Sequence, residues 1–132
     1  MSDKLHFSLV SPERELYAGY VDQVIAPGEA GEFGVLVNHA PLMSTLSMGL
    51  LKVIDAGAEK RFFVRGGFAD VTPAGLTVLA EEAIDLADVD AARLEQEIRD
   101  AEEDLKDTRD DAQRSRAGIA LERLKALKAA VA

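Results

Sequence analysis

The sequence predicts two small domains, an all-β sandwich or flattened barrel over residues 1–87 followed by an α-helical antiparallel hairpin over residues 88–132. Three observations predict it. Composition changes sharply near residue 87: all five Phe, both Tyr, all four Pro and nine of the ten Gly precede it, and only Gly118 follows. Aromatic residues among turn formers suit strands and tight turns, whereas the Ala, Leu, Asp, Glu and Arg that dominate the second part suit helices. Apolar residues alternate with polar ones in the first part, and recur three and four apart in the second.

Taken in order, Leu5, Phe7 and Leu9 alternate with His6 and Ser8 and predict the first strand. Val21 and Val24, flanking Asp22 and Gln23, predict another, and so do Leu51 and Val53 on either side of Lys52. The runs Arg61 to Val64 and Leu76 to Leu79 read as further strands. Turns are predicted at Pro27-Gly28, around Asp55-Ala56-Gly57, and at Thr72-Pro73-Ala74-Gly75, from their Pro, Gly and Asp content. Closely spaced strands with short connections fold as a sandwich or a flattened barrel. A domain of this size buries only roughly 60% of the surface its unfolded chain exposes, so docking on a partner would help it.

In the second part Asp88 is placed to cap a helix with the apolar stripe Ala91, Leu94, Ile98, Ala101 and Leu105. Asp107-Thr108-Arg109-Asp110 reads as a turn. A second stripe follows at Ala117, Leu121, Leu124, Leu127 (or Lys128 by its stem) and Val131. Both stripes are narrow and Ala-rich, which predicts a hairpin that is marginal alone and able to detach from the sandwich. Its charges segregate. Residues 88–111 hold eleven acids and four bases, net −7, while residues 112–132 hold Glu122 and five bases, net +4. Exposed ion pairs are worth only about 0–1 kcal/mol, so the basic helix can exchange its acidic neighbour for another acidic protein surface.

Several function classes are excluded. A net charge of −9 argues against nucleic acid or an anionic lipid surface as the main partner. Without cysteine there is neither a disulfide nor a thiolate metal site. The charged start, Met1 to His6, predicts no secretion signal. Phe33 to Leu51 runs nineteen residues without a formal charge, close to the ~20 of a membrane-spanning helix. Asn38, His39, Pro41 and Ser44 interrupt it, so buried strands joined by loops are expected there instead. His6 and His39 are the only histidines, no phosphate-binding loop occurs, and Ser11 and Ser44 have no base partner in view. His6 is expected at the surface or at a strand edge, and Gly66-Gly67 as a strand junction. No independent catalysis and no metal site are expected.

The run Gly31-Glu32-Phe33-Gly34-Val35-Leu36, continuing into Asn38-His39-Ala40-Pro41-Leu42, closely resembles the signature of the epsilon subunits of F-type ATP synthases. The likeness extends to Val10-Ser11-Pro12-Glu13, Gly49, Gly66-Gly67-Phe68, Val78-Leu79-Ala80 with Ala83, and Asp90-Ala91-Ala92-Arg93, in order along nearly the whole chain. It implies a non-catalytic rotor subunit that binds gamma, sits on the ring of c subunits at the membrane face, and couples proton flow to ATP synthesis. Position by position, Glu32 matches an acidic residue on the loop facing the c-ring. His39, Pro41 and Ser44 fall in the segment along gamma. The hairpin matches a regulatory element that restrains ATP hydrolysis by reaching an acidic loop of the catalytic beta subunit. Arg114, Arg116, Arg123, Lys125 and Lys128 are its candidate contacts, although the second helix is short for the family. Asp90 and Arg93 match two positions of a motif with which some members bind ATP as a regulatory ligand, with Leu94 in place of that motif's small Ala. The implied location is peripheral, on the cytoplasmic face of the bacterial inner membrane. Without the resemblance, Asp90 and Arg93 would suggest a free-standing nucleotide-sensing adaptor.

Overall fold

The computed structural model describes residues 4–131; Met1, Ser2 and Asp3, half of the charged N-terminal run, lie outside the described residues. Two compact units divide between Ala87 and Asp88.

The first unit contains eight strands: β1 (Leu5–Val10), β2 (Glu15–Val21), β3 (Gln23–Gly28), β4 (Gly31–Leu36), β5 (Leu42–Thr45), β6 (Gly49–Asp55), β7 (Ala58–Thr72) and β8 (Gly75–Asp85). They pair in the order β2-β1-β8-β7-β6-β3-β4, with β5 added to β7, and every pairing is antiparallel except β1 with β8. β2 and β4 end the path unpaired to each other, so this is an open sandwich and not a closed barrel. β7 carries the chain between the layers. Its first half pairs with β6 and its second half with β5. At the bend, Gly66 and Gly67 take φ of +68° and +99°, in the left-handed region where only glycine is at ease. The pair predicted as a junction therefore lies inside one long strand.

Alternation decides the core. Leu5, Phe7 and Leu9 on β1 point inward and are buried, as are Val24 and Ala26 on β3, Leu51 and Val53 on β6, and Val64, Ala69 and Val71 on β7. Phe7 and Phe62 are the largest fully buried side chains, each contributing about 2–3 kcal/mol by removal from water. Phe33 to Leu51 spans β4, β5 and the start of β6, as expected of a strand-and-loop segment. No described helix is long and apolar enough to cross a membrane.

Two local expectations are corrected. Val21 and Val24 do not share a strand: the chain bends at Asp22, whose carboxylate accepts the Ala56 N–H at 2.8 Å. Pro27 and Gly28 stay in β3, and the turn itself falls on Glu29 and Ala30, because Pro27 and Gly28 still pair with Glu32 and Gly31. His6 is half-exposed, in keeping with the surface expectation, and pairs with Tyr20 of β2 just before the β1–β8 ladder begins at Phe7.

The bend at Asp22 also anchors the start of β1. Lys4 Nζ donates to Asp55 and lies 3.7 Å from Asp22, and this hydrogen bond, followed by the attraction of both carboxylates, raises the ammonium above the ordinary lysine value of 10.5. The charged form is thus favoured by folding. Its contribution is complete below the ordinary value and is lost as pH climbs through the raised one. Unfolding of the native chain and of Lys4→Met should accordingly differ by a constant amount up to about pH 10 and converge above it; a gap that persists in strong alkali would show that the ammonium is not its cause.

A short 3-10 turn (Leu86–Asp88) runs across the division, and the second unit continues with α1 (Ala91–Asp107) and α2 (Asp111–Val131). Asp88 does not cap α1. Asp90 does, accepting the Ala92 and Arg93 N–H groups at 2.9 and 3.2 Å, because Asp88 is still inside the preceding turn. Leu94 and Ile98 of α1 and Leu121 and Leu127 of α2 are buried. The predicted turn from Asp107 to Asp110 joins the helices, and Asp110 Oδ1 accepts the Ala112 N–H at 2.9 Å.

Candidate docking surfaces

No cluster of three or more His, Cys, Asp or Glu that could hold a metal occurs among the described residues. What the sandwich offers is surface. Strand register brings Thr45 of β5, Phe68 of β7, Leu79 of β8 and Val10 of β1 side by side on the outward face. Phe68 and Leu79 are 40% and 41% exposed, and Met43, two residues from Thr45 on the same face of β5, is 66% exposed. A shallow groove of ≈ 500 Å³ follows the row, closed at one end by Ser11 and Pro12. Burying what remains exposed of these two apolar side chains would recover about 1–2 kcal/mol for a docked partner. Sequence reasoning missed this row. Phe68 and Leu79 read as ordinary strand hydrophobics, and only the register shows that their alternation partners Ala69, Val78 and Ala80 hold the inward places.

Of the residues assigned to partners, His39 and Pro41 line one cavity of the sandwich, and Glu32 and Ser44 lie outside its lining. Glu32 is exposed near the tip of the β3–β4 hairpin, opposite Pro27. His39 is half-buried after β4, its N–H donating to the Leu36 carbonyl at 3.2 Å and its Nδ1 to the Ala40 carbonyl at 2.7 Å. Asn38 before it takes φ +66°, which Asn tolerates better than most residues. Pro41 is exposed. Ser44 is half-buried opposite buried Ala69 and donates to the Thr45 carbonyl at 3.2 Å; its neighbours Met43 and Thr45 are the ones that turn outward.

In the hairpin, Asp90 is engaged as the α1 cap and Arg93 Nε lies 3.5 Å from Glu97, one turn along. Lys128 reaches Glu95 of α1 at 3.3 Å. Arg114, Arg116 and Lys125 are charges on α2 with Arg114 and Arg116 exposed in its first half and Lys125 in its second. Arg93→Ala should leave stability nearly unchanged, since an exposed i,i+4 pair is worth about 0.2–0.5 kcal/mol. Asp90→Ala, which removes the cap, should cost about 1 kcal/mol. Thermal unfolding of both variants checks the contrast.

The comparisons with known proteins agree with one another. Residues 4–86 match the family model described as the ATP synthase delta/epsilon chain, β-sandwich domain. An ATP synthase epsilon chain from Maricaulis maris is 54% identical over 132 residues, covering 100% of this chain and 99% of that one. An ATP synthase epsilon chain from Caulobacter vibrioides is 61% identical over 84 residues, which make 64% of this chain but 98% of that relative. Among solved structures, a chain of the Euglena gracilis mitochondrial ATP synthase, in an assembly of OSCP, F1 and c-ring, superposes with a TM-score of 0.80 at 26% identity, covering 100% of this chain and 84% of that one. The family model covers the sandwich and the Maricaulis relative covers the hairpin as well: the chain belongs to the ATP synthase delta/epsilon family, as an epsilon-type stalk subunit and not the catalytic one.

Proposed function

We propose that the chain is the rotor-side epsilon subunit of a proton-translocating synthase, docking on gamma with the sandwich and resting on the c-ring. The observation that carries the docking is the row of Phe68, Leu79 and Met43, exposed apolar side chains at one place on a chain of net charge −9. His39, Pro41 and Ser44 flank that contact on gamma, and Glu32, at a hairpin tip, meets the ring. Coupling then follows from rigidity: a sandwich held by gamma and seated on the ring turns with both. The location is peripheral, on the cytoplasmic face of the bacterial inner membrane, reached through the complex.

In the same reading, residues 88–132 are a mobile regulatory hairpin. The surplus of basic charge on α2, carried by Arg114, Arg116, Arg123, Lys125 and Lys128, suits an acidic loop of the beta subunit and so a restraint on ATP hydrolysis. Asp90 and Arg93 are its candidate ATP contacts, and calorimetric titration of the isolated chain with ATP decides that role. Saturable heat abolished by Arg93→Ala supports it, and absence of heat removes it. Glu32→Lys should lower ATP-driven proton pumping in membrane vesicles, and unchanged pumping would take Glu32 out of the coupling contact.

The test of the whole is recovery of the tagged chain from washed membranes, with bound proteins identified by mass spectrometry. Gamma together with alpha and beta subunits is the expected result. Recovery of the chain alone, under conditions that keep the synthase intact, would overturn the rotor reading and favour a free nucleotide-sensing adaptor.

A further inference from the structure

At one end of the sandwich, a cavity of ≈ 460 Å³ opens between the start of β1, the end of β2, the loop after β4 and the β7–β8 turn. Both histidines of the chain line it, His6 from β1 and His39 from the loop, together with Lys4 and Tyr20. No carboxylate lines it among the described residues, although acids outnumber bases twenty-four to fifteen in the chain as a whole. The nearest acids by contact, Asp22 and Asp55, are engaged with Lys4.

The two imidazoles are held by their surroundings. His6 packs edge-on against Tyr20 at 5.1 Å between ring centres. Gly75 at the β7–β8 turn admits no side chain beside it, since a Cβ there would lie 2.3 Å from the His6 carbonyl oxygen. His39 donates Nδ1–H to the Ala40 carbonyl, which leaves Nε2 as its other ring nitrogen. Imidazole is the side chain that ordinarily changes charge between about pH 5 and 8. The other titratable groups on the cavity wall, Lys4 and Tyr20, do not supply a negative charge in that range.

We propose that this cavity is a proton-coupled oxyanion site, in which His6 and His39 together take a carboxylate or phosphate group as they become charged. A resident metal suits it less well, because two imidazoles without a third ligand form an incomplete set. The inference deepens the docking reading. His39 belongs to the segment assigned to gamma, so the occupant in the assembly is an acidic side chain of the docked partner, and docking tightens on mild acidification.

The experiment has two arms. In the first, the isolated full chain is titrated with inorganic phosphate, and separately with acetate, while the imidazole C–H resonances are followed by NMR between pH 5.5 and 8. In the second, affinity for the purified gamma subunit is measured at pH 6 and pH 8. Saturating shifts of both histidines with phosphate or acetate, abolished in His6→Gln and His39→Gln, show a site open to free anions. No such shift, together with gamma affinity falling about tenfold from pH 6 to pH 8 in the native chain and staying flat in both variants, shows that the anion is the partner's. A tenfold change corresponds to about 1.4 kcal/mol. Absence of both effects overturns the proposal, and so does a saturable response to Zn²⁺ with none to either anion. Failure of gamma to bind at any pH would sink the docking reading while leaving the first arm to decide the site.

Discussion

Gly67→Ala is expected to destabilise the sandwich by more than about 3 kcal/mol and to leave little folded chain at growth temperature. A Cβ at this position would lie 2.0 Å from the Leu79 carbonyl oxygen and 2.8 Å from the Ala80 Cα, both backbone atoms of the paired strand. Neither can step aside without parting β7 from β8, which pair from Phe62 to Thr72. The left-handed φ of +99° adds its own penalty for any residue with a Cβ. Gly66→Ala is the matched control. Its Cβ would meet the Glu81 carboxylate at 2.7 Å, but that is the far end of a flexible side chain able to swing away. The expected loss there is about 1–2 kcal/mol, mostly the cost of the conformation. Urea unfolding of the two variants measures the difference directly. Equal losses would mean that strand strain, and not the approach of two backbones, governs the bend.

Phe68→Glu and Leu79→Glu should each weaken binding to gamma by at least about thirtyfold, close to the 2 kcal/mol that marks a dominant interface residue. Both side chains are two-fifths exposed in the free chain, so the loss of the buried remainder should lower stability by only about 1–2 kcal/mol. The experiment is decisive because affinity falls while the chain stays folded. Titration calorimetry against purified gamma, with the native chain alongside, reads the first quantity, and circular dichroism on heating reads the second. Undiminished affinity in both variants would move the docking contact off this face, and Leu36 and Met48, exposed elsewhere on the sandwich, would become the surface to test.

The fold class was legible because burial in strands and helices imposes different spacings. The alternation at Leu5, Phe7 and Leu9 and the stripes through Leu94, Ile98, Leu121 and Leu127 are the residues found buried. Where reading failed, local signals were outweighed by pairing. Pro27 and Gly28 carry turn chemistry yet remain in a strand, because the next two residues form the tighter turn. Asp88 and Asp90 are equal as capping residues by type, and only the 3-10 turn that absorbs Asp88 decides between them. β2 and β5 offered weak patterns, with Gly19 and Ala18 in one and a four-residue span in the other. The resemblance named Glu32, His39 and Pro41. It could not show that His39 shares a cavity with His6, thirty-three positions earlier, since that depends on β1 lying parallel to β8.

Every buried side chain of the sandwich cluster lies between Leu5 and Ala80. The cluster is drawn from the first unit alone. The Caulobacter relative, nearly all of whose length is matched by 84 residues of this chain, has room for one of the two units only. Selection can therefore treat the two units as separate heritable parts, changing the helices in one lineage while the sandwich is kept.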